Sequence, residues 1–496
     1  MMSRASWIAA AGLCAVLLVP LLVVDVPPLL DYPNHLARVF VLAALPHDPV
    51  LARFYAAHWS IIPNLALDLI GPRLIDVLPV DVAGRLLIAV GVLLPVVGTI
   101  AYSTAIGGRW WSLGVGLVAY NSALLAGFLN FEIGVGLAFL LAGAWLRWRE
   151  VWPVRAIIVA MLGAPALFFC HLMGMVLFGL LIGAAELSHG RAGLAHRGAV
   201  LAVIFAAPTG LYVVSDFRGM GGEAAFLPVG AKLLQLVTLF ANYSWKLDMV
   251  TATVAIGLPV TGLVLRWGRM PRPAAIATVL LLIAFLSAPY AWKGTQSLDT
   301  RFAVMLGFML FAGFVPDRRP VWFVRLGAAA VVVLFAARMA LLTTAWAAHR
   351  GDLADLREVL GPVRPGQAVY VAETGLDEAP AYWAANPRWR LLSDGARTDE
   401  HLGALVLIER RAWWPFEFDN PSQQPIETRE PYRGLAEEVG SLPNRAQAAI
   451  ADLCGFDYVL LTGADAVPPL PANRFGLLGQ SGFAALYSIK TCQKDK

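Results

Sequence analysis

Charge is what this chain has least of. Only 15% of its 496 residues are charged, while 58% are hydrophobic, against about a quarter charged in a soluble globular domain. That deficit excludes a soluble chain and defines a polytopic membrane protein. The basic excess is slight, 38 Lys and Arg against 34 Asp and Glu, and no basic run is dense, so a nucleic-acid partner is excluded. Four cysteines are too few for a disulfide framework. The chain also lacks GxxxxGK[ST], HExxH and GxSxG motifs and any internal repeat. No nucleotide loop, zinc-protease helix or nucleophile elbow is therefore written into it.

Long apolar runs are what it has. Windows of near-spanning length recur at about 6–24, 84–105, 110–127, 131–147, 154–170, 172–187, 197–215, 250–266, 273–291, 302–316 and 322–347, which predicts about 11 transmembrane helices. The first apolar run exceeds the roughly 7–15 residues of a signal-peptide core and no A-x-A site follows it, so a retained first span is expected. Arginines mark alternate loops: Arg4, Arg109, the Arg147 to Arg155 group, Arg191 with Arg197, the Arg266 to Arg272 group, and Arg318, Arg319 and Arg325. The opposite turns, GFLN and CHLMG, carry none. The positive-inside rule then predicts a cytoplasmic N-terminus and an external C-terminal tail.

On that topology the transmembrane part covers residues 1–348 and includes two long external loops. The first, 25–83, holds two amphipathic helices, HLARVFVLAAL and IIPNLALDLIGPRLIDVL; the second, 216–249, opens on RGMGGE and continues as AKLLQLVTLFANY. Such helices beside spans are interfacial. A short loop, PYAWKGTQSLDTR, follows later. Residues 349–496 read as a small extracytoplasmic α/β domain, with strands expected at AVYVAE, ALVLIE, DYVLLTG and AALYSI. Cys454 and Cys492 both fall in this tail, which if external would let them pair as a disulfide.

The conspicuous polar residues collect on the external side. Asp25, Asp31 and His35 follow the first span in VVDVPPLLDYPNHLAR, Asn130 and Glu132 sit at the GFLN turn, His171 at CHLMG, and Lys293, Asp299 and Arg301 in the late loop. Each has a bland reading: Asp31 caps a helix, Glu132 pairs with a lysine, His171 is interfacial, Arg301 snorkels. Together, ionisable groups brought by several helices to one membrane face mark a site. Carboxylates, histidines and cations in one place suit an anionic, polar ligand.

This pattern resembles the GT-C superfamily of integral-membrane glycosyltransferases. The first span and acidic external loop (VVDVPPLLDYPNHLAR), the juxtamembrane helices, the turn histidine (FCHLMG), the late loop ending in a basic residue (LDTRF) and the external α/β domain carry the resemblance. It implies a transferase that moves a sugar from a polyprenyl-phosphate donor in the membrane to a lipid, glycan or protein acceptor. The implied site puts the catalytic carboxylate on Asp31, ahead of Asp25, and any divalent metal on Asp31 too, although DYPNH lacks the paired acids many members carry. Arg301 and Lys293 would hold the leaving phosphate. His35, one helical turn from Asp31, would orient it or touch the phosphate, and Glu132 and His171 would shape the sugar or acceptor pocket. Alanine, glycine and arginine richness points to a high-GC bacterium and so to its inner membrane. Two other readings are a lipid-linked sugar transporter or flippase, which would place polar groups in mid-membrane, and a non-catalytic GT-C-like scaffold.

Overall fold

The computed structural model describes residues 4–108, 110–317, 320–385, 389–440, 444–445, 448 and 451–490. Arg109, Arg318, Arg319 and Cys492 lie outside the described residues. The chain divides into two compact units, one of Met1–Leu22, Ile61–Ala66 and Leu86–Thr343, the other of Val23–Ser60, Leu67–Arg85 and Thr344–Lys496.

The chain is a helical multi-pass membrane protein. Among the described residues seven helices are long and apolar enough to span: Arg4–Leu22, Val80–Ala105, Leu129–Trp148, Pro153–Cys170, Leu194–Val214, Trp245–Val264 and Val321–Val359. Leu172–Ser188, Val229–Thr238 and Arg272–Ser287 are shorter apolar helices. The apolar window at 110–127 does not form one helix. It makes a 3-10 stretch, Trp110–Leu117, then a short turn of helix, Ser122–Leu125. Asn121 causes the break: its extended backbone stops the run, and its Oδ1 accepts from the Ala123 and Leu124 N–H groups at 2.9 and 3.0 Å, starting a new helix.

Leu129–Trp148 is the centre of the first unit, with 72% of its apolar window buried against 11% for Leu194–Val214. Glycine permits that. A Cβ on Gly136 would meet the Leu94 carbonyl carbon at 2.4 Å, and one on Gly174 would meet the Gly134 backbone at 2.8 Å. Small residues let membrane helices approach to backbone contact, where dispersion replaces the hydrophobic drive that lipid abolishes. Pro153, at the first turn of its helix, needs no N–H partner there.

The second unit is built on a four-stranded sheet in the order Val369–Glu373, Tyr458–Thr462, Ala484–Ile489, Phe475–Ser481, the first pair parallel and the others antiparallel. Val369–Glu373 is buried along its whole length, as a strand flanked by other elements must be. Val23–Ser60 and Leu67–Arg85 of the first loop belong to this unit. Tyr55–Ala57 pairs antiparallel with Ile426–Thr428, and the Arg429 N–H donates to the Phe54 carbonyl at 2.7 Å. One expectation is corrected: ALVLIE is a helix, Leu405–Arg410, rather than a strand. Its apolar run is too short for periodicity to discriminate. A preceding 3-10 turn, Leu402–Ala404, launches it in helical conformation, and it packs on the helix Tyr32–Ala44.

Candidate active site

Asp31 occupies the N-cap position of Tyr32–Ala44, yet its side chain makes no capping hydrogen bond. The carboxylate is spent elsewhere. Its Oδ1 lies 3.2 Å from Nδ1 of His401, a histidine from the far end of the chain, and the same Nδ1 lies 3.2 Å from the Leu30 carbonyl. The side chains keep 16% and 15% exposure, enough to meet solvent or a ligand. Burial pushes His401 toward its neutral form, but the hydrogen bond and charge of Asp31, the nearby Glu400 and the Leu30 carbonyl outweigh it, so its pKa stands above the ordinary histidine value.

The rest of LLDYPNHLAR builds the floor under that pair. Asn34 bridges to PFEFD by donating to the Phe416 carbonyl at 2.8 Å and accepting from the Phe418 N–H at 3.0 Å. His35 packs edge-on against Phe418, ring centroids 5.6 Å apart. Its Nδ1 lies 3.0 Å from Arg38 Nη1; a guanidinium only donates, so that nitrogen accepts and the proton sits on Nε2. Burial, reinforced by Arg38 and His401, holds the His35 pKa well below its usual value. Arg38 in turn forks onto Asp68 at 2.7 and 3.3 Å, both side chains essentially sealed from solvent. Beside them Glu417 is buried, and both of its carboxyl oxygens lack a hydrogen-bond partner among the described residues. Burial drives its pKa well above the carboxylate range; Arg38 opposes this, and Asp419 and Asp68 add to it. Burial thus favours the neutral form of this carboxyl.

In the first unit the GFLN turn gathers the other expected residues. Asn130 Nδ2 donates to the Asn64 carbonyl at 2.7 Å. Glu132 is fully buried one turn into its helix. His171 ends one helix and caps the next by accepting from the Met173 N–H at 3.1 Å, and its ring meets Phe131 at 5.6 Å. The Arg301 guanidinium lies 4.5 Å over Phe128 and within electrostatic reach of His171. Glu132, His171 and Arg301 thus all sit about Phe128–Glu132. Lys293 is not with them: its Nζ donates to the Arg218 carbonyl at 2.6 Å and lies over Phe217 and Trp292. Asp299 accepts from Gln235 at 3.1 Å and faces Lys232 at 3.9 Å.

Asp25 is a structural acid. Arg357 holds it at 2.5 Å and also binds Glu409 at 2.8 Å; burial alone would raise the Asp25 pKa, and the Arg357 contact brings it below the usual carboxylate value. Among the described residues no three His, Cys, Asp or Glu side chains cluster as ligands, and His401 turns toward Asp31 the nitrogen that must carry hydrogen to serve the Leu30 carbonyl.

Arg38 is legible in the opening motif, but Asp68, His401 and Glu417 are not assigned from sequence. Signals existed: a lone acid within LALDLIG and a carboxyl between two phenylalanines in FEF are costly placements that call for a partner. TDEHLG reads only as a polar loop.

The structure is similar to the crystal structure of ArnT from Cupriavidus metallidurans bound to undecaprenyl phosphate, with a TM-score of 0.54 over 98% of both chains at 11% sequence identity. No protein-family model and no curated protein matches the sequence.

Proposed function

We propose that this protein is a glycosyltransferase that moves a sugar from a polyprenyl-phosphate donor to a lipid, glycan or protein acceptor on the outer face of a bacterial inner membrane. The observation that carries this reading is a fold shared along 98% of the chain with a protein solved with undecaprenyl phosphate bound. The Asp31 carboxylate adds to it, being neither a helix cap nor sealed from solvent. In the reaction the acceptor oxygen bonds to the anomeric carbon as the bond from that carbon to the donor phosphate breaks. The phosphate keeps the electron pair and the acceptor gives up its proton. Asp31 supplies the negative charge that draws the proton off, and Arg301, which shares the Phe128–Glu132 turn with Glu132 and His171, is the cation proposed for the phosphate. Residues 1–348 form the membrane part, with the N-terminus cytoplasmic, and 349–496 the extracytoplasmic domain, to which loop 25–83 contributes.

The test is transfer of radiolabelled sugar from the native polyprenyl-phosphate pool in membranes containing either the wild type or Asp31→Asn. Transfer by the wild type and a loss of about 100-fold or more in the variant, at equal expression, is the expected result. Equal transfer by both removes Asp31 from the mechanism.

A further inference from the structure

We propose that His401 is a catalytic residue of this reaction: its Nε2 takes the proton of the acceptor hydroxyl, while Asp31 holds the ring through Nδ1. The inference rests on the transferase reading above and adds to it the atom on which the proton lands.

The geometry argues it in steps. A carbonyl oxygen only accepts hydrogen bonds, so the 3.2 Å approach of Nδ1 to Leu30 O places a hydrogen on Nδ1. Asp31 Oδ1, 3.2 Å away, shares it. In the neutral ring the lone pair must then lie on Nε2, which has no hydrogen bond to any described residue. Phe418 and Trp414 meet the ring edge-on, with centroids 5.1 and 6.2 Å away, and restrict its rotation. Phe418 is itself held by Asn34. A carboxylate that fixes the tautomer and stabilises the imidazolium formed on proton transfer is the division of labour found wherever an acid and a histidine act as a dyad. The proton moves to Nε2 as the new glycosidic bond forms, and the electron pair of the broken bond leaves with the polyprenyl phosphate.

The charged and titratable groups facing His401 are Asp31, Glu400 and His35. The two carboxylates favour its charged form. The base is the neutral form, so the rate should climb as pH rises through the His401 pKa, which lies above the ordinary histidine value.

The deciding experiment measures radiolabelled sugar transfer from the native polyprenyl-phosphate pool by the full-length protein in membranes, across pH, for wild type, His401→Gln and His401→Ala, the last with and without added imidazole. The expected results are a fall of about 100-fold or more in kcat for both variants with KM nearly unchanged, loss of the acidic limb in the residual rate, and partial rescue of His401→Ala by imidazole. An active wild type with His401→Gln equally active, or with its acidic limb retained, overturns the proposal alone. Should His401→Gln fail to fold, His401→Ala that gains nothing from imidazole overturns it. A wild type that transfers nothing overturns the transferase reading and this inference together.

Discussion

At the scale of single residues, the second unit separates two ways of carrying buried charge. Arg38 and Asp68 satisfy one another through a forked pair of hydrogen bonds, whereas burial raises the Glu417 pKa well above the carboxylate range and so favours its uncharged form. A carboxyl whose folded pKa is raised stabilises the fold fully below its unfolded value, about 4.3. That contribution is lost as pH climbs toward the folded value. Glu417→Gln removes the titration and keeps the shape. The melting temperature of the variant relative to wild type should therefore rise as pH goes from about 4 upward, as read by thermal unfolding in detergent; a constant difference would show that Glu417 is charged in the fold. Asp31 belongs to a third class, a carboxylate left partly exposed with one histidine as neighbour.

Among elements, helix packing in the first unit turns on backbone proximity. Gly136 touches the backbone of Leu94 and Pro95, whereas Gly183 faces open space. Gly136→Leu should overpack the centre and cost about 1–3 kcal/mol or more, lowering the melting temperature. Gly183→Ala should be neutral or gain up to ~1 kcal/mol of helix propensity. Equal melting for the two variants would mean that the close approach is not rigid. Helix existence was largely legible, because hydropathy is a local signal; helix continuity was less so. Asn121 looked like one polar residue in an apolar window, and only its side-chain bonds to the next turn make it a break. ALVLIE failed for the opposite reason: six residues carry too little periodicity, and contact with Tyr32–Ala44 decides their conformation.

For the whole molecule, the arginine pattern predicts which face each loop occupies. A membrane-impermeant thiol reagent applied from outside should reach Cys454 and Cys492 only after reduction, because the reading puts both in an oxidising external compartment as a pair. Labelling of both in unreduced cells would disprove the disulfide, and labelling only after the membrane is opened would reverse the topology. Composition and apolar periodicity are enough to establish a multi-pass chain with an acidic first loop and an α/β tail, since each depends on neighbours close in sequence. Local pattern also singled out Asp31, His35, Glu132, His171 and Arg301, as ionisable groups stand out against apolar runs. Pairings across the chain could not be read that way. Asp31 with His401, Arg38 with Asp68, and Tyr55–Ala57 with Ile426–Thr428 join segments with no shared local signal. They exist because buried polar groups and unpaired strand edges must find partners, and which partner lies within reach is set only by how the chain packs.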